Sequence, residues 1–136
     1  MEIILINPPF KTSFPQPPLG LVFIAAILEK EGHKVNIIDA QALGIDENQV
    51  AQISAKADVI GITSMTPTFN SAVNVAKAIR KVNSSCFIIM GGPHATVLPE
   101  KTLEDVKEVD AIVIGEGEKT IIELIKAICV PEETLP

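Results

Sequence analysis

Short apolar runs recur five times along the chain, at Ile3–Ile6, Val35–Ile38, Val59–Thr63, Phe87–Met90 and Ala111–Ile114. Each is four or five residues long, rich in Ile and Val, and continuous rather than alternating. Continuous runs suit strands buried on both faces, the situation that helices packed on either side of a parallel sheet create. The intervening segments carry helical spacing. Pro18–Glu31 is apolar through most of its length and stops at Gly32, which suits a C′ position. Phe69, Ala72, Val73, Ala76 and Ile79 repeat at three and four, with Thr66 as the expected N-cap and Pro67 at the first helical position. Ile121, Ile122, Ile125 and Ile128 form a similar stripe. A weaker helix is expected over Glu47–Ala55, and a short one opening near Pro99.

Five strand–helix alternations predict a doubly wound α/β domain with helices on both faces. Right-handed crossovers favour the flavodoxin-like strand order 2-1-3-4-5. With 136 residues the chain is sized for one domain, and 47% hydrophobic against 21% charged residues suits a packed core. No repeat or low-complexity tract interrupts it. Five of the ten prolines fall within Pro8–Pro18, making a stiff loop after the first strand.

Charge narrows the choice of partners. Eleven Lys and Arg face 17 Asp and Glu, a formal charge of −6, and there is no Tyr or Trp. Neither nucleic acid nor an anionic membrane is an expected partner. The longest apolar stretch falls short of the ~20 residues that span a bilayer, and the N-terminus lacks the basic region of a secretion signal. A cytoplasmic location is expected. Cys86 and Cys129 have no metal-site spacing, and both are expected to pack as small buried hydrophobes.

In such a fold a ligand lies beyond the carboxyl ends of the strands. The segments there are Asn7-Pro8-Pro9, Asp39-Ala40, Ser64-Met65-Thr66, Gly91-Gly92-Pro93-His94 and Gly115-Glu116-Gly117-Glu118. Prolines replace the GxGxxG turn that a dinucleotide needs, and proline has no N–H to offer. Asn7 and Ser64 stand where a phosphoacceptor domain would have carboxylates, and no P-loop lysine signature is present. What remains is a wide, uncharged cleft with glycines after strands 4 and 5 and hydroxyls after strand 3, suited to a bulky neutral ligand. The same residues also serve as turn and cap residues.

Taken in order, Asn7-Pro8-Pro9, Pro17-Pro18-Leu19-Gly20-Leu21, Gly32-His33-Lys34-Val35, Asp39, Asp58–Thr63, Gly91–Thr96 and Gly115–Glu118 resemble the cobalamin-binding domain found ahead of radical SAM domains. That family includes methyltransferases and enzymes of the anaerobic magnesium-protoporphyrin monomethyl ester cyclase type. The resemblance spans Glu2 to about Ile128. It implies cobalamin over the strand ends, with its nucleotide tail beside Ser64, Gly91 and Gly92, Gly115–Gly117 nearby, and Pro17–Gly20 under the corrin. The implied cofactor-binding set is Pro18, Leu19, Gly20, Thr63, Ser64, Met65, Thr66, Gly91, Gly92, His94, Gly115, Glu116 and Gly117, with no catalytic or metal-ligating residue.

The DxHxxG motif that supplies a lower cobalt ligand elsewhere is absent, since Phe10–Gly20 contains neither Asp nor His. The resemblance therefore implies base-off binding. His33 is expected to cap a helix away from the site, His94 to belong to the ligand-side loop, and Glu116 and Glu118 to open the last helix. Two cysteines cannot make the CxxxCxxC set of an iron–sulfur cluster. The chain alone is thus expected to be inactive. Residues 1–130 are the cobalamin-binding domain, and 131–136 open a linker to a C-terminal radical SAM domain carrying the [4Fe-4S] cluster and S-adenosylmethionine. Two other functions fit the same pattern: a free-standing corrinoid carrier, and a degenerate α/β domain kept for protein contacts.

Overall fold

A computed structural model describes residues 1–115 and 117–129. The five runs form strands β1 (Glu2–Asn7), β2 (Lys34–Asp39), β3 (Val59–Thr63), β4 (Phe87–Gly91) and β5 (Ala111–Ile112). All pair in parallel, in the order β2-β1-β3-β4-β5 expected from the crossovers. The helices are α1 (Leu19–Lys30), α2 (Ala40–Leu43), α3 (Glu47–Ile53), α4 (Phe69–Val82), α5 (Pro93–Val97), α6 (Pro99–Asp105) and α7 (Glu118–Cys129).

Continuity of the apolar runs follows from the two cores. Ile3 and Leu5 of β1 join Val59 and Ile89 beneath α1 and α7, through Leu21, Leu28, Ile121 and Ile125. Ile4 and Ile6 point the other way, joining Ile60, Ile62 and Ile88 beneath α3 and α4, through Val50, Val75 and Ile79. Edge strand β2 departs from this pattern: of Val35, Asn36, Ile37 and Ile38, only Ile38 is buried. With one neighbour, it has less cover on either face.

Helix boundaries obey local chemistry. α1 ends in a Schellman motif: Gly32 N–H donates to Glu29 O at 3.0 Å, and His33 N–H to Leu28 O at 3.2 Å. Gly32 has φ +91°, a conformation that favours glycine. His33 thus lies at the end of the sheet opposite the strand carboxyl termini. α3 opens with a capping box between Asp46 and Gln49 that the diluted apolar pattern did not advertise.

Three expectations are corrected. Thr66 is not the cap of α4, because Thr66–Thr68 forms a 3₁₀ turn and Thr68 Oγ1 accepts from Met65 N–H at 3.0 Å. Ile114 is not in β5, since the chain leaves the sheet after Ile112 to reach Gly115 and Gly117, both at positive φ. The short helix expected near Pro99 is α6, and a further short helix, α5, precedes it, separated by Leu98. Cys129 is exposed, as the last residue of α7 with its Sγ 3.3 Å from Met1 Sδ, and only Cys86 is buried. Burial pushes the Cys86 thiol pKa up, against the lowering effect of nearby Arg80.

Arg80 fastens the end of the sheet remote from the strand carboxyl termini. Its guanidinium donates to the carbonyls of Cys86 and Glu108, both at 2.8 Å, and to Asp110 Oδ2 at 3.0 Å. Asp110 Oδ2 also accepts from Ile88 N–H at 2.9 Å, so one carboxylate ties β4 and the start of β5 to α4. Arg80→Ala is expected to lower stability by about 2 kcal/mol, the scale of a charge-assisted hydrogen bond lost at a partly exposed site. A urea-midpoint shift without a change of slope checks it.

Candidate functional site

At the carboxyl ends of the strands the α1/α7 face of the sheet opens into a cavity of about 580 Å³. Its floor is a single rung of the sheet, Leu5, Gly61 and Ile89, which are register partners on β1, β3 and β4. Gly61 makes this floor low. A Cβ there would come within 2.9 Å of Leu5 Cδ2, so any side chain would fill the space between the strands and α1. Leu21 and Ile24 of α1, Ile121 of α7 and Val113 form apolar walls.

Polar groups enter only one layer higher. Asn7 and Thr63, two residues beyond Leu5 and Gly61, line the mouth with Gln16, Gln41 and Glu118. Asn7 Nδ2 donates to Asp39 Oδ1 at 3.0 Å, and Gln41 Nε2 donates to Asn7 Oδ1 at 3.4 Å. Asp39 Oδ1 also accepts from Ala42 N–H at 3.3 Å, which fixes α2 and with it Gln41. Asp39 is thus spent on orienting amides at the mouth. Phe23, which lines the cavity, is more than half exposed, as are Phe14, Leu19 and Ile114.

The expected site residues divide by placement. Pro18, Gly20, Thr63, Met65, Gly91, Gly92, Gly115 and Gly117 line the cavity. Leu19, Ser64, Thr66 and His94 do not. Glu116 lies outside the described residues. Ser64 is fully buried, and its hydroxyl donates to Gly91 O at 2.8 Å, so it is already committed within the protein. His94 stacks on Phe69, ring centroids 4.0 Å apart, with Nδ1 3.4 Å from Thr66 Oγ1. The two adjacent glycines differ in role. A Cβ on Gly91 would make ordinary contact with Val113 O at 3.6 Å, whereas on Gly92 (φ +92°) it would strike Ser64 O at 2.6 Å and Ser64 N at 2.7 Å. Gly92 therefore serves the close approach of two loops.

Gly61, Leu5, Ile89, Gln41 and Ile121 belong to the cavity but were not among the expected residues. A glycine inside an Ile/Val run is the one sequence signal that pointed there. Among the described residues no cluster of three or more His, Cys, Asp or Glu could hold a metal ion. No helix among them is long and apolar enough to cross a membrane.

A cavity with an apolar slot and an amide-rich mouth, Glu118 being the charged residue on its lining, fits a large, flat, largely neutral cofactor. Comparison with known proteins agrees. The chain is 38% identical to an uncharacterized methyltransferase of Pyrococcus horikoshii, across 94% of this chain and 29% of that protein. It is 28% identical to the anaerobic magnesium-protoporphyrin IX monomethyl ester cyclase of Rubrivivax gelatinosus, across 94% of this chain and 24% of that one. It therefore spans about a quarter of the length of these relatives. In fold it resembles the radical S-adenosylmethionine methyltransferase TsrM of Kitasatospora setae, solved with cobalamin and a [4Fe-4S] cluster. There the TM-score is 0.81 and the identity 24%, over 93% of this chain and 24% of that one. The model of the B12 binding domain matches residues 10–125, and the chain belongs to that family.

Proposed function

We propose that this domain binds cobalamin base-off, as the N-terminal cofactor module of a cobalamin-dependent radical SAM enzyme. The cavity at the strand ends carries the reading. Its apolar slot suits the flat lower base of the nucleotide tail, and its mouth of Asn7, Gln16 and Gln41 suits the amides around a corrin. Gly20 and Gly115, both at the cavity, have open space where a Cβ would stand, which leaves room for a bulky group. Bound there, the cobalt would supply methyl-carrier or related chemistry, and the protein would position it. The chain's own residues bind, orient and exclude water.

The placement of the two histidines supports a cobalt with no protein imidazole ligand. His33 lies at the far end of the sheet, and His94 is stacked on Phe69 outside the cavity. His94→Ala is accordingly expected to leave the visible spectrum of the bound corrinoid unchanged, whatever its effect on affinity. Displaced cobalt bands in that variant would make His94 a ligand.

The lengths of the relatives support the modular reading. Residues 1–130 would be the cofactor domain, and 131–136, outside the described residues, would lead into a radical SAM domain holding the cluster and S-adenosylmethionine. The reading frame tests this: it should continue past Pro136 into a three-cysteine motif. A stop codon there would favour the free-standing carrier. Cobalamin binding itself is tested by mixing the domain with hydroxocobalamin and desalting. Near-stoichiometric retention with a base-off spectrum is expected, and a colourless protein would overturn the reading.

A further inference from the structure

The layering of the cavity bears on which corrinoid it accepts. Natural corrinoids differ in the lower base at the end of the nucleotide tail, which is a benzimidazole, a purine or a phenol. The slot floor of Leu5, Gly61 and Ile89 offers no side-chain hydrogen-bonding group. Its backbone offers none either, because β1, β3 and β4 are paired with one another along this rung. Leu21 and Ile121, buried at the walls, are equally apolar. The nearest polar side chains on the strands, Asn7 and Thr63, stand two residues further along, about 7 Å higher at strand rise.

We propose that this slot selects corrinoids by lower base, taking dimethylbenzimidazole and rejecting adenine. The inference rests on the cobalamin reading and deepens it. Dimethylbenzimidazole carries two methyl groups on its far edge and meets an apolar floor with apolar surface. Adenine carries an exocyclic amine and ring nitrogens, which lose their water at the floor and find no partner. An apolar pocket discriminates against an added polar group by about 10–100-fold, and that is the expected preference. A phenolic base, apolar over its buried part, should bind more like dimethylbenzimidazole.

The test is a set of equilibrium titrations of the whole 136-residue chain, followed by visible absorbance and by calorimetry. The ligands are hydroxocobalamin, its adenine-based counterpart and cobinamide, which lacks the nucleotide tail. Cobalamin binding at least ten-fold tighter than the adenine form, and tighter than cobinamide, is the expected result. Equal affinity for cobalamin and the adenine form would overturn lower-base selection. Equal affinity for cobinamide as well would show that the slot does not hold the tail, leaving corrinoid binding intact. Failure of all three to bind would overturn the cobalamin reading together with the selection.

Discussion

Gly61→Val should weaken cobalamin binding by about 100-fold or more while leaving the domain folded. Valine suits a buried parallel strand, so β3 gains intrinsic propensity from the change. Its Cβ, however, would come within 2.9 Å of Leu5 Cδ2, and its methyl groups would stand on the cavity floor. Leu5 lines the same cavity, so its displacement and the new methyl groups both encroach on the slot. A flat ring that fills the slot in the parent protein then has nowhere to go, and overpacking of this kind costs about 1–3 kcal/mol. At ~1.4 kcal/mol per decade, that cost and the lost apolar contacts together reach the expected factor. Circular dichroism and desalting with hydroxocobalamin check both halves. A folded variant retaining cofactor as the parent does would mean that the ring lies elsewhere.

Gly92→Ala should destabilise the domain itself, by about 3 kcal/mol or more. Two costs combine at this residue. A non-glycine residue at φ +92° carries strain on the order of 1–3 kcal/mol. The new Cβ would also lie 2.6–2.7 Å from backbone atoms of Ser64, which is buried and held by hydrogen bonds from its N–H and Oγ to Gly91 O, both at 2.8 Å. Backbone so fixed cannot yield as a side chain would. Gly91→Ala, one residue earlier, meets only ordinary contacts and should cost under about 1 kcal/mol. Thermal melts of the pair check this, with a fall of about 10 °C expected for Gly92→Ala alone. Equal melting temperatures would contradict the assignment of Gly92 to loop packing.

The fold was legible because its signals are local or periodic. Ile3–Ile6 reads as buried on both faces since alternate residues enter two cores, and the Gly32 stop of α1 follows from backbone chemistry alone. What escaped depends on distant chain segments. Ser64, read as a ligand donor, donates to Gly91 from 27 residues away. His94, read as part of a ligand-side loop, lies in helix α5 and turns toward Phe69. The cavity floor had one local signal, a glycine within an Ile/Val run, but Gly61 matters only because register puts it between Leu5 and Ile89. Cys129 looked buried because it continues the stripe of Ile121 and Ile125 at four-residue spacing, yet as the last residue of α7 it is exposed.

Methyl-labelled nuclear magnetic resonance of the domain during titration with hydroxocobalamin tests the placement of the cofactor most directly. Leu5, Ile89 and Ile121 line the slot, whereas Ile60, Val75 and Ile79 lie in the core on the other side of the sheet. Large ring-current shifts of the first three methyl sets, with the second three nearly still, are the predicted result. Unmoved slot methyls at saturating cobalamin, or shifts confined to the opposite core, would contradict it.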